Sequence, residues 1–344
     1  MRRVFCILLC IALLLPAFAL ADKTVTITFT GDVTLGSEEK KRANAASFDS
    51  VAAEKGYDYF FANMKDFFAE DDLTVINLEG VLSDSSAGEK KDKTYRFRGP
   101  TDFVNILTRS GIEVCNIANN HSMDYGQKGY DATQAALEAA GLGVFGNESV
   151  YIYEKDGIRV AFLGVNSTAY NKRKTWAKEE IARLKAEENV NAVVYVFHGG
   201  TEYGRVRNDM QEKASRYFIN CGADLIVMHH PHVVQGFDIY KNRSICYSLG
   251  NFCFGGNKQV RALRAMVVRA TLTFADDGTY LGQQLALYPA HISGTDPQNN
   301  YQPLLVSGEE AQAAMALAQR DTDFTLNPFD DAAGCALQDY LPTS

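Results

Sequence analysis

Polar residues recur in this chain at one kind of place, just past the C-terminal end of a short apolar run. Asp32 follows Thr24–Thr30, in which threonine alternates with valine, isoleucine and phenylalanine. Asn77 and Glu79 close the run that starts at Leu73. Asn120 and His121 follow Ile112–Ile117, His198 follows Ala192–Phe197, and His230 and His232 follow Leu225–Met228. Such runs read as buried strands. Between them lie helical stretches at Phe48–Glu70, Asp102–Ser110, Gln127–Ala140, Glu179–Glu188 and Asp209–Asn220. Strand and helix in alternation predict a largely parallel α/β sheet. In open α/β sheets the ligand crevice lies outside the carboxyl ends of the strands. Each polar residue alone has an ordinary explanation, as a turn cap, a solvated carboxylate or a loop histidine. Five strand ends delivering a carboxylate, carboxamide or imidazole to equivalent positions are far harder to explain separately.

The last of these ends is the densest. Three of the six histidines fall within four residues, His229, His230 and His232, around Pro231. In extended chain, residues two apart point the same way. His230 and His232 are therefore expected to converge, with His229 directed elsewhere as a packing residue. Aspartate and glutamate offer hard oxygens and histidine a borderline nitrogen. A mixed set of about six such groups suits one or two divalent ions such as Mn, Fe or Zn. Glu79 could bridge two ions, and the pair could activate a water for attack on a phosphoryl or similar centre. His121, beside Asn120, is placed to donate a proton to the leaving group.

From Ser244 onward the pattern changes. Ser244–Ser248, Met266–Phe274 and Tyr280–Tyr288 are strands joined by short turns, expected to be antiparallel and to close the fold as a second sheet. Glu309–Arg320 is expected as a closing helix, and nothing is legible after Asp321. The domain is set at 22–325, followed by a tail at 326–344.

Residues 1–21 read as a secretory signal: Arg2 and Arg3, an apolar stretch from Val4 to Leu15, and Ala19-Leu20-Ala21 before Asp22. The expected location is extracytoplasmic, either secreted or anchored by an uncleaved signal. Loss of Arg2 and Arg3 would move the formal charge from −8 to −10. With that acidic balance and no lysine or arginine cluster, no nucleic-acid partner is expected. The five cysteines beyond the signal lack the spacing of a disulfide framework or of a Cys-x-x-Cys zinc site.

Several blocks appear in a fixed order: Gly31-Asp32-x-x-Leu35, Asn77-Leu78-Glu79, Asn116-x-Ala118-Asn119-Asn120-His121, His198-Gly-Gly-x-Glu202-Tyr203, Gly222-Ala223-Asp224, His230-Pro231-His232-Val233-x-Gln235, and Ser248-Leu249-Gly250-Asn251-Phe252. Together they resemble the CapA family of poly-γ-glutamate capsule-synthesis proteins. That family in turn resembles the calcineurin-like metallophosphoesterases. The resemblance implies a multilayer α-β-β-α sandwich, with Asp32, Glu79, Asn120, His198, His230 and His232 at metal-ligand positions and His121 at the general-acid position. Asn77, Glu202, Tyr203 and Asn251 would lie on the substrate side.

It further implies a metal-dependent hydrolase that makes, exports or trims poly-γ-glutamate or a related envelope polymer, taking an anionic polymer or phosphoester and working beside membrane polymer-synthase subunits. Two other functions remain open. One is a non-catalytic, polyanion-binding accessory subunit of such a synthase; the other is a generic phosphoesterase. The chain also departs from these patterns. Asp32 has no histidine two residues on, and Glu79 stands where the phosphoesterases carry a second aspartate, so one metal position has fewer ligands. Gly199 replaces a usual aromatic, and Gly255-Gly256 follow Phe254 where an aspartate is common.

Among the remaining charges, Arg205 and Arg207 are expected to be solvated rather than to contact an anionic substrate, Arg96 and Arg98 to flank an edge strand rather than to clamp an anion, and Trp176 to pack within a lysine-rich loop.

Overall fold

A computed structural model describes residues 22–339; the expected signal at 1–21 lies outside them. Two sheets pack face to face with helices on both outer sides. The alternation of side chains along the strands builds the layers. Val25, Ile27, Phe29, Leu73, Val75 and Val114 point from one sheet into the space between the two. Val160, Phe162, Val194, Val196, Leu225 and Val227 meet them from the other. The alternate residues face outward. Ile76, Leu78 and Cys115 pack with Phe48, Phe60, Phe61, Ile106, Leu107 and Leu137. Ala161, Leu163, Val193, Tyr195, Ile226 and Met228 pack with Tyr170, Ile181, Leu184 and Phe218. Strands apolar on both faces can exist only when covered on both, so the α-β-β-α sandwich follows from these runs.

The first sheet has the order Leu304–Leu305, Tyr280–His291, Arg264–Phe274, Lys23–Thr34, Leu73–Leu78, Val114–Asn116, Gly143–Phe145. Asn251–Phe254 pairs with Lys23–Thr34, and Ala336–Asp339 with Tyr280–His291. The second sheet has the order Phe237–Tyr240, Arg243–Cys246, Leu225–His229, Ala192–His198, Ile158–Asn166, Tyr151–Lys155.

The late strands thus differ from expectation. They build no sheet of their own. Arg264–Phe274 pairs antiparallel with the first strand of the chain, and Arg243–Cys246 pairs parallel with Leu225–His229. Short turns showed that these strands were neighbours in sequence but not which open edge each would join. The tail is also structured. Ala336–Asp339 pairs with Gln284–Leu287, so the sheet continues past the expected boundary at 325.

Two helical expectations change as well. Phe48–Glu70 is broken at Gly56, which sits at φ 79 and leaves helices at Phe48–Lys55 and Lys65–Phe68. The helix expected at Glu179–Glu188 begins at Ser167, where the Asn166 side chain caps it by accepting from Ala169 N. Trp176 therefore lies on a helix and packs on the outer core of the second sheet.

Candidate metal centre

Strand register gathers the site. In the first sheet Asp32 is aligned with Asn251 on one side and Asn77 on the other, and Asn77 with Asn116. In the second sheet His198 is aligned with His229 and with Asn166. Two polar rows thus meet at the same end of the sandwich.

The rows are cross-linked by hydrogen bonds. Asn116 Nδ2 donates to Asn77 Oδ1 at 2.8 Å, and Asn77 Nδ2 donates to Asp32 Oδ1 at 2.7 Å. Asn77 Nδ2 also lies 3.2 Å from His198 Nδ1, which ties the two sheets together. His198 Nε2 and Asn120 Oδ1 are 2.7 Å apart. His232 Nδ1 is 3.1 Å from Asp32 Oδ2 and 2.8 Å from Asn251 Oδ1. Glu79 Oε1 is 3.5 Å from His198 Nε2 and 3.9 Å from His121 Nε2.

The histidine loop reaches the site by a different route from the one expected. His230 has φ 102 and His232 φ 59, a conformation that non-glycine residues seldom adopt and that tends to cluster at functional sites. The chain turns rather than running extended, so the every-second-residue rule fails. As a correction, His229 does not point away. It is buried, with Nδ1 3.2 Å from Asp32 Oδ1 though out of line for a hydrogen bond. Asn77 is a second correction. It is fully buried with its amide engaged on Asp32, His198 and Asn116, so it braces the site from behind and does not face a substrate. Asn251 is buried against His232, whereas Glu202 and Tyr203 are exposed on a loop at the mouth with Tyr95, Phe97 and Arg261.

The sequence reading missed Asp124. Its Oδ2 sits 2.6 Å from His121 Nδ1 and accepts from Phe97 N, while Lys93 Nζ bonds its other oxygen. The signal was the three-residue step from His121 to Asp124 within one turn. Of the arginines, Arg207 is held by Asp321 and Asp323, Arg98 by Glu39 and Arg96 by Glu89, so all three serve the scaffold.

Burial and charge push the titrating groups apart. Burial would raise the Asp32 carboxyl, but the imidazoles of His229 and His232 beside it outweigh burial and hold it well below the usual carboxylate range. Burial, reinforced by Asp32 and Asp124, pushes Glu79 well above that range. Burial lowers His198, His230 and His121, the last against the pull of Asp124. Burial also disfavours a charged His232, yet Glu79 and Asp32 raise it to about 10. Buried carboxylates and imidazoles separated in this way mark a functional site.

The donor set fits a divalent cation. Both Glu79 carboxylate oxygens, His229 Nδ1 and His230 Nδ1 are buried without a hydrogen-bond partner. Glu79, His230 and His232 each offer a ligand atom, and these lie within 4.8 Å of one another. Groups left unsatisfied in a buried place are costly unless something completes them.

The profile described as "Bacterial capsule synthesis protein PGA_cap" matches residues 26–256, which take in every one of these side chains. The chain belongs to that family. Among its relatives, "Capsule biosynthesis protein CapA" of Bacillus anthracis is 31% identical over 68% of the chain and 60% of the relative. "PGA biosynthesis protein CapA" of Bacillus subtilis (strain 168) is 28% identical over 68% of the chain and 64% of the relative. The match thus spans under two thirds of the length of these two proteins. "Probable polyglutamine synthesis accessory protein Rv0574c" of Mycobacterium tuberculosis (strain ATCC 25618 / H37Rv) is 24% identical over 75% of the chain and 72% of the relative.

Proposed function

We propose that this chain is a metal-dependent hydrolase of capsule synthesis, acting outside the cytoplasm on poly-γ-glutamate or a related anionic envelope polymer. The observation that carries this reading is Glu79, whose two buried carboxylate oxygens have no hydrogen-bond partner and lie beside His230 and His232. Asp32, Asn120 and His198 complete the donor set from neighbouring strand ends. A divalent cation held there would supply Lewis-acid activation. The chain's own residues do the rest. Asn77 fixes Asp32 and His198 in position, and Asp124 fixes the ring of His121. Partnering by Asp124 favours the tautomer with hydrogen on Nδ1, which aims Nε2 into the crevice to move a proton to or from the reacting group.

The name of the mycobacterial relative favours one second reading, an accessory subunit that binds the polymer beside a synthase without cleaving it. Metal analysis and activity assays separate the two. The hydrolase reading expects bound transition metal that is lost in both Glu79→Ala and His230→Ala, with turnover of poly-γ-glutamate in the loaded protein. A loaded protein that binds the polymer but never shortens it would leave the accessory reading. Turnover of p-nitrophenyl phosphate esters alone would point to a generic phosphoesterase. A folded chain that takes up no metal from Mn, Fe or Zn would end the hydrolase reading.

A further inference from the structure

Beside the crevice runs a groove of about 370 Å³ that the metal centre does not use. Its floor is apolar, with Val233, Val234, Leu263 and Leu317. Its rim carries Arg205, Arg261, Arg264 and Arg320, brought together from three segments distant in sequence. Four arginines on one groove stand out on a chain with a formal charge of −8. Ion pairing does not absorb them. Among the described residues Arg205, Arg261 and Arg320 have no carboxylate within ion-pair distance, and only Arg264 is paired, with Glu310 at 2.7 Å. Arg261 instead lies over the Tyr203 ring, 5.3 Å from its centroid. Tyr203 and Arg261 also line the mouth that holds His121 and His232, so the groove and the crevice are continuous.

We propose that this groove is a binding track for an extended polycarboxylate, leading a polymer segment to the metal centre. The inference rests on the polymer reading above and deepens it. The chemistry decides the class of ligand. A guanidinium fork matches a carboxylate, and an apolar floor matches the methylene segments between carboxylates in a glutamate polymer. Polyphosphate offers no apolar segment for that floor. A nucleic acid would need several aromatic platforms for its bases, and among the described residues lining the groove the one ring is Tyr203, with Arg261 on one of its faces.

The test is fluorescence anisotropy with a labelled poly-γ-glutamate oligomer, a polyphosphate of matched charge, and the full chain over a range of salt. The expected result is salt-weakened binding of the oligomer, looser binding of polyphosphate, and at least a tenfold loss for the oligomer in Arg205→Ser/Arg320→Ser. Metal content and melting temperature of that variant should match the parent, which shows that it is folded. Unchanged oligomer binding in the folded variant would overturn the track, and so would polyphosphate binding as tight as the oligomer's. The two readings fail separately. A chain that binds the oligomer through these arginines but takes up no metal keeps the track and loses the hydrolase. A metal-loaded chain that shortens the oligomer but binds it equally well in the folded Arg205→Ser/Arg320→Ser variant loses the track alone.

Discussion

Asp124 Oδ2 lies 2.6 Å from His121 Nδ1, and both groups are buried. A carboxylate behind an imidazole fixes its tautomer and ring orientation, and partners of this kind are typically worth about 10- to 100-fold in activity. Asp124→Asn keeps the shape and an acceptor for Phe97 N but removes the charge. Turnover should fall by roughly that factor with metal content unchanged. Equal activity in parent and variant would remove Asp124 from the site.

Glu79 should behave differently with and without metal. Burial pushes its carboxyl upward, so the site without metal disfavours the charged form relative to a free glutamate. Glu79→Gln keeps the shape and removes the buried charge, and it should shift the metal-free melting temperature by only a few degrees, on the order of 1 kcal/mol or less. The parent should gain about 2.7 kcal/mol at a metal concentration 100 times the Kd, and the variant should gain little. Calorimetry with and without Mn or Zn measures both. A metal-induced rise in Glu79→Gln equal to the parent's would show that Glu79 is not a ligand.

Gly31 is required by close approach of two strands. A Cβ there would lie 2.4 Å from Gly250 O and 2.6 Å from Asn251 O, both backbone atoms that cannot swing aside. Gly31→Ala must push Asn251–Phe254 away from the strand that carries Asp32, breaking the Asp32 N to Gly250 O bond. We expect a loss of roughly 1–3 kcal/mol from overpacking, together with weaker metal uptake. Denaturant melts and metal analysis check the pair. A variant as stable as the parent would mean that the strands part without cost.

Tyr195 sets the alkaline limit. Its ring stacks on Phe218 at 3.7 Å, and its hydroxyl is buried without a partner. Burial pushes the phenol above its usual 10. Above pH 10 the unfolded chain therefore releases this proton while the folded chain keeps it. Stability that is fully present below about pH 10 is lost as pH rises further. Burial raises Tyr247 and Tyr280 as well, so they act in the same direction. Tyr195→Phe should be neutral or stabilising near pH 7, because no hydrogen bond is broken, and should flatten the fall between roughly pH 9 and 11. A loss of more than about 2 kcal/mol at pH 7 would show that the hydroxyl has a partner after all.

The sequence by itself determined the layers and most of the site. Runs such as Ala192–Phe197 and Leu225–Met228 are apolar at every position, and only a strand covered on both faces tolerates that. Asp32, Glu79, Asn120, His121, His198, His230 and His232 were legible because the ends of parallel strands share one edge of a sheet. Local pattern could not say which sheet edge Arg264–Phe274 and Arg243–Cys246 would join, or that Ala336–Asp339 would return to the sheet, because a strand's partner is set by long-range pairing. Nor could it fix side-chain direction after Met228. Positive φ takes His230 and His232 out of the strand's alternation, while His229, on the same side as Leu225 and Val227, keeps it and meets Asp32. The roles of Asn77 and Asp124, and the gathering of Arg205, Arg261, Arg264 and Arg320 on one groove, are likewise tertiary. They depend on distances between groups that only the packing of two sheets brings together.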